Sequence, residues 1–150
     1  MKRLLALLIL AVAVFGAARS GSAEPVAPTR AVADALGRDI PLPAGGNFSG
    51  VRWEQAGELS RAQITAVLHY NAACQWLRAW RDGRAPVTAL AGLASWPAWR
   101  GTETAKVLAE VEHQARTGGG PLLEGVLRDC DASHAREVEY ARSLGLKPSG

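Results

Sequence analysis

SRAQITAVLHYNAACQWLRAWRD, residues 60–82, is the longest run without glycine or proline after the apolar N-terminal segment, and it holds one of the two cysteines. Ser60 can accept a hydrogen bond from the amide of Gln63, and Gln63 can reach back to the amide of Ser60. This capping box predicts that a helix begins here, and Gly83 predicts where it ends. We therefore expect one long helix on which the rest of the chain packs.

One face of this predicted helix carries a broad apolar stripe with Cys74 near its middle. The stripe follows from a turn of about 100° per residue. Ile64 and Leu68 lie well off it, and Trp76 lies on its flank, so the helix is expected to contact neighbours on more than one side. The stripe consists of Ala66, Val67, Tyr70, Ala73, Cys74, Leu77 and Trp80.

A second long helix is predicted over residues 121–144, and Cys130 is central on its apolar face. Two cysteines on inward faces predict that the two helices are neighbours joined by a Cys74–Cys130 disulfide. An even pair of cysteines on a chain bound for an oxidising compartment favours the same bond. The apolar positions of this helix are Leu123, Val126, Leu127, Cys130, His134, Val138 and Ala141.

Two shorter helices are predicted between the long ones, over residues 86–95 and 103–117. Pro86 suits the first turn of the former, and three glycines follow the latter. Trp96-Pro97-Ala98-Trp99 is predicted to form a corner with the indoles folded under it, because a residue before proline avoids the helical region. The expected apolar positions are Val87, Leu90, Ala91 and Ala94 in the first helix, and Thr104, Val107, Leu108, Val111 and Ala115 in the second.

The N-terminal residues are typical of an exported protein. Residues 1–23 combine a basic start, an apolar core and small residues before Glu24, which is the pattern of a cleavable signal peptide. The apolar core is shorter than the roughly 20 residues of a membrane span, although an uncleaved anchor is the alternative. Residues 24–57 are rich in proline and glycine and predict an extended arm with one short helix over residues 29–36, followed by a helical domain over residues 58–150.

The predicted fold is therefore all-α: a small bundle of about four helices stapled by one disulfide, preceded by the signal peptide and the arm. The chain has 150 residues, enough for one domain, and a formal net charge of +3. Loss of Lys2, Arg3 and Arg19 with the signal leaves 14 of the 17 basic residues against 14 acidic ones. A neutral mature chain gives no electrostatic case for nucleic acid, and no membrane span is expected after cleavage. The residue usage is typical of a high-GC bacterial genome.

No catalytic motif stands out, and we assign no catalytic residue, metal or cofactor. The Glu110/His113 and Asp131/His134 spacings resemble metal-ligand pairs, but the two pairs point to different helix faces. A secreted hydrolase acting on envelope polymer or lipid would use His134 and nearby carboxylates, and would require a pocket there. A haem or small-ligand carrier would use His69 or Tyr70.

The remaining feature is a set of tryptophans and arginines around the end of the central helix and the corner. Such residues can form a stacking and cation-bearing surface that binds a cell-envelope component or a protein partner. The alternative is that the indoles fill the corner while the arginines pair with acidic residues of the last helix. The favoured function is thus an exported, non-enzymatic binding module with an exposed pair of indoles. The candidate residues are Trp76, Arg78, Trp80, Arg81, Arg84, Trp96, Trp99 and Arg100.

Overall fold

A computed structural model describes residues 29–53 and 59–150, and within these ranges the regular elements are helices, without a strand. Three 3-10 turns, Val87–Leu90, Leu93–Ser95 and Pro97–Trp99, connect the second and third α-helices. The all-α prediction is confirmed for the described residues. The predicted signal peptide and the predicted arm's residues 24–28 and 54–57 lie outside them. The α-helices are α1 (Thr29–Gly37), α2 (Arg61–Arg81), α3 (Glu103–Arg116) and α4 (Pro121–Ser143).

Helix α2 begins with the predicted capping box. The Ser60 hydroxyl accepts from the amide of Gln63 at 3.2 Å, and the Gln63 side chain accepts from the amide of Ser60 at 2.8 Å. At the other end Gly83 adopts a φ of 72°, a left-handed conformation that glycine reaches without a Cβ clash. The central helix was therefore predictable from its two ends alone.

The Cys74–Cys130 disulfide joins α2 to α4, as predicted, with 5.3 Å between the Cα atoms. Both cysteines are buried. They lie within one core that α2, α3, α4 and the 3-10 turns build together. Its buried members are Ala73, Cys74, Leu77, Leu90, Leu93, Trp99, Leu108, Val111, Ala115, Leu123 and Cys130.

The first half of α2 buries a different face from the one predicted. Ile64 and Leu68 are 2% and 0% exposed, whereas Val67 and Tyr70 of the predicted stripe are 36% and 44% exposed. The reason is a second core, which α1 and residues 40–53 form on that side of α2. Since α2 has different partners along its length, one stripe cannot describe both halves. The second core contains Ala33, Ile40, Val51, Trp53, Ile64, Leu68 and Ala72.

The prediction of a continuous helix over residues 86–95 is wrong. The chain forms two 3-10 turns there instead, because Gly92 adopts a φ of 92° and interrupts the helical path. Leu90 and Leu93 are nevertheless buried, while Ala91, predicted to be apolar-facing, is exposed. Short turns thus place the two leucines where a continuous helix could not.

The remaining helix predictions are confirmed to within a residue or two at each end. Helix α1 covers the short helix predicted in the arm, and α3 buries Leu108, Val111 and Ala115 as expected. Helix α4 buries Leu123, Cys130 and Ala141. Helix α4 packs against both α2 and α3, and polar side chains line a small cavity between α2 and α4 next to the disulfide.

Candidate functional site

The tryptophans of the predicted interaction surface are held by the fold to different degrees. Trp99 is buried, and its indole N–H donates to the carbonyl of Leu93 at 2.7 Å. Trp76 is partly buried and donates to the carbonyl of Pro41 at 3.0 Å. Trp80 and Trp96 are partly buried against the main core. One indole is thus buried and three are partly buried, and their role as an exposed binding cluster stays a prediction.

Three arginines of that surface lie in an ionic cluster with Asp82 and Asp131. Arg81 Nη1 donates to Asp131 Oδ2 at 2.6 Å, and Arg81 Nε donates to Asp82 Oδ1 at 3.0 Å. These hydrogen bonds raise the pKa of Arg81, Asp131 contributing most, and the bond from Arg81 lowers the pKa of Asp82. Arg84 Nη2 reaches Asp82 Oδ2 at 3.2 Å. The cluster connects the end of α2 to α4. This agrees with the alternative interpretation of the sequence, in which the arginines pair with acidic residues of the last helix.

Arg78 is the buried member of this group. Its Nε lies 3.4 Å from Asp131 Oδ1 but makes no hydrogen bond, and burial lowers the pKa of its guanidinium. Arg100, by contrast, is exposed. The role of the eight candidate residues in binding stays a prediction.

His69 belongs to an aromatic cluster with two of the tryptophans. Its ring centroid lies 5.0 Å from that of Trp96 and 5.7 Å from that of Trp99, both edge-on, and the two indoles stack at 5.7 Å. His69 Nδ1 lies 2.8 Å from the carbonyl of Thr65, so Nδ1 carries the proton. The cluster is a packing contact between α2 and the corner.

His134 lines a small polar cavity between α2 and α4, next to the disulfide. The cavity measures about 10 Å³, counted as the space open to the centre of a water molecule, which is close to what one water needs. Burial lowers the pKa of His134, and Arg78 lowers it further. A cavity of this size has no room for a substrate. Its walls are Tyr70, Asn71, Cys74, Gln75, Arg78, Cys130, Ser133, His134 and Glu137.

A hydrogen-bond network surrounds this cavity. Glu137 Oε1 accepts from Asn71 at 2.8 Å and from Ser133 at 3.0 Å. Gln75 donates to the side chain of Asn71 at 2.7 Å and to the carbonyl of Asn47 at 2.8 Å. The network therefore joins α2, α4 and the segment before α2, and most of its polar groups are already engaged with one another.

An open groove of about 720 Å³ lies between α1, the loop over residues 42–49 and the chain after α4. Leu144 and Leu146 on its rim are 49% and 41% exposed. The sequence analysis missed this groove, although two leucines just beyond the end of a helix were a signal of exposed apolar surface. Its walls are Arg30, Asp34, Gly37, Arg38, Leu42, Gly46, Asn47, Phe48, Ser49, Leu144 and Leu146.

Comparison of the chain with protein-family models, with curated proteins and with solved structures finds no match. Across residues 29–53 and 59–150, no helix is long and apolar enough to cross a bilayer. The same residues contain no group of three or more His, Cys, Asp or Glu side chains placed to hold a metal ion.

Proposed function

We propose that this chain is an exported, non-enzymatic binding protein of the bacterial cell envelope or extracellular space, and that it holds an amphipathic anion in the groove beside α1. A disulfide in the core is what an oxidising compartment permits, which supports export. The observation that carries the proposal is the groove itself. Its volume of about 720 Å³ gives room for a ligand, whereas the cavity at His134 has about 10 Å³.

The groove walls indicate the chemistry of the ligand. Leucines and Phe48 supply apolar contact, and half-exposed leucines at a rim gain free energy when a ligand removes them from water. The guanidinium groups of Arg30 and Arg38 and the carboxylate of Asp34 also line the groove. An apolar body with a negatively charged end fits this combination, as an envelope lipid or a fragment of one would provide.

Decanesulfonate is a suitable probe because its head group stays charged, and decanol is its neutral counterpart. We expect the full chain to bind decanesulfonate more tightly than decanol in isothermal titration. Leu146→Asp should weaken decanesulfonate binding by about tenfold, equivalent to about 1.4 kcal/mol, by placing a carboxylate in the wall. Val67→Asp is the matched control, since Val67 is an exposed apolar residue outside the groove.

Failure of the chain to bind either probe would contradict the proposal, and so would an equal loss of affinity in the two variants. Arg100→Glu tests the predicted tryptophan and arginine surface separately, because Arg100 is exposed and is not a groove residue. If that surface binds the ligand instead, Arg100→Glu should weaken binding while Leu146→Asp leaves it unchanged.

The two other functions considered from the sequence have less support. A hydrolase at His134 needs substrate access that a cavity of about 10 Å³ does not offer. A haem carrier that uses His69 needs an open coordination site, whereas the ring packs against Trp96 and Trp99. A haemin titration in which the protein does not shift the Soret band would end the haem proposal.

A further inference from the structure

The chain after α4 turns back along that helix. Gly145 has a φ of 67°, and the amides of Gly145 and Leu146 donate to the carbonyls of Arg142 and Ala141 at 3.0 and 2.9 Å. This pairing is a Schellman motif, in which a left-handed glycine ends the helix and reverses the chain. Residues 145–150, which we name the strap, then run back towards His134.

Three further contacts hold the strap, two to the loop before α2 and one to α4. The Ser49 hydroxyl lies 2.6 Å from both the Lys147 carbonyl and Asn47 Oδ1, which share its one proton. The amide of Gly150 donates to the carbonyl of Gly45 at 3.2 Å. The Ser149 hydroxyl lies 3.4 Å from His134 Nδ1. The strap therefore lies between the loop before α2 and the histidine that lines the polar cavity.

We propose that the protonation state of His134 sets whether the strap is closed, so that the groove keeps its Leu146 wall at neutral pH and loses it in acid. This inference rests on the proposed function, because Leu146 belongs to both the strap and the groove. The groove would then hold its amphipathic anion at neutral pH and release it in acid.

The physical cause is hydration of the imidazole ring. The Ser149 hydroxyl can donate to a neutral ring or accept from a charged one, so this hydrogen bond by itself selects neither form. A charged ring, however, is better solvated when the strap is open, and the closed strap leaves it partly buried. Charge on His134 therefore favours the open strap.

Some of the groups that face His134 raise its pKa and others lower it. From α2, Tyr70 lines the same cavity and Arg78 disfavours a charged ring, as does Arg84 after the helix. From α4, Glu137 and Asp131 favour the charged ring. Burial and the arginines outweigh the carboxylates, and the pKa of His134 is lowered from its ordinary value of 6.5.

The strap adds to the burial that lowers this pKa, because Ser149 lies 3.4 Å from the ring. A base whose pKa is lower with the strap closed than with it open binds protons preferentially in the open form. Strap closure is therefore favoured while the ring is neutral, and it weakens as the pH falls through the pKa of the open form towards the lower pKa of the closed form.

Hydrogen exchange of the Gly150 amide in the full chain tests the proposal. We expect its protection factor, which corrects for the intrinsic pH dependence of exchange, to fall between about pH 7.5 and about pH 5, on either side of the ordinary histidine pKa. The fall should share its midpoint with the titration of the His134 ring, followed by NMR. His134→Gln should abolish the pH dependence, and His113→Gln, which alters an exposed histidine on α3, should preserve it.

The proposal would be overturned if the protection factor of the Gly150 amide did not change in acid. It would also be overturned if this protection factor fell as much in His134→Gln as in the unaltered chain. If His134→Gln does not fold, the unaltered chain provides the test. The proposal is overturned if the fall in Gly150 protection and the titration of the His134 ring have different midpoints. Decanesulfonate should bind more weakly in acid than at neutral pH, and His134→Gln should remove the difference. If the Gly150 and His134 midpoints coincide but decanesulfonate binds at neither pH, the strap is supported and the proposed function fails.

Discussion

Gly50 approaches the backbone of Glu137 so closely that a Cβ atom at Gly50 would lie 2.6 Å from the Glu137 carbonyl oxygen. This contact brings the segment before α2 directly onto α4, on the side of α4 that faces the polar cavity.

Gly50→Ala should destabilise the protein by about 1–3 kcal/mol, because the added methyl meets backbone and not a flexible side chain. Gly125→Ala is the matched control. A Cβ there has only Arg128 within reach, at 3.8 Å, and glycine inside a helix is less favourable than alanine by about 0.5–1 kcal/mol. Gly50→Ala should therefore lower the midpoint of urea denaturation, and Gly125→Ala should raise it. A Gly50→Ala midpoint at or above that of the unaltered chain would contradict the close approach.

Reduction of Cys74–Cys130 should lower the free energy of unfolding by about 4 kcal/mol in the chain-entropy model, since the bond closes a loop over a sequence separation of 56 residues. Small domains are stabilised by about 5–15 kcal/mol in total, so the reduced chain should be close to unfolding at room temperature. Urea denaturation with and without reductant measures the difference. The double variant Cys74→Ala, Cys130→Ala should not respond to reductant, and equal midpoints for the oxidised and reduced protein would show that the bond contributes little.

Trp99→Phe should cost about 1–2 kcal/mol of stability, because it removes a buried hydrogen bond to Leu93 and leaves space in the main core. Trp76→Phe is the comparison, since its hydrogen bond to Pro41 lies at the surface and water can replace the lost donor. We expect a smaller loss there. Thermal unfolding followed by circular dichroism ranks the stability of the two variants. A larger loss of stability in Trp76→Phe than in Trp99→Phe would contradict this prediction.

Protonation of the Asp82 carboxylate should lower the free energy of unfolding in acid. Its pKa is lowered from 3.8 by the hydrogen bond from Arg81, so its contribution is complete above about pH 3.8 and is lost as the pH falls below that value. The effect should be small because the carboxylate is exposed to solvent. Asp82→Asn should show a shallower loss of stability in this range than the unaltered chain, whereas Asp39→Asn, another exposed aspartate, should follow the unaltered chain. Parallel curves for Asp82→Asn and the unaltered chain would contradict the assignment.

The site illustrates what tertiary contacts add. Arginine and tryptophan residues near one another in the sequence predicted one surface, yet Arg81 pairs with Asp131 from a distant helix and Trp99 turns inward to Leu93. The groove was not predictable, because its walls come from three segments whose separations in sequence say nothing about their proximity. A residue type shows what chemistry a side chain can perform, while its partners depend on the folded chain.

The sequence by itself determined the helical class, the two ends of α2 and the pairing of its only two cysteines. These features depend on local geometry: Ser60 and Gln63 are within reach of each other in any helix start, and Gly83 tolerates a conformation that other residues avoid. Only the tertiary structure decided which face of α2 is buried at Ile64 and Leu68. That choice depends on α1 and residues 40–53 packing on one side of α2, and burial is a property of what covers a side chain and not of the side chain alone.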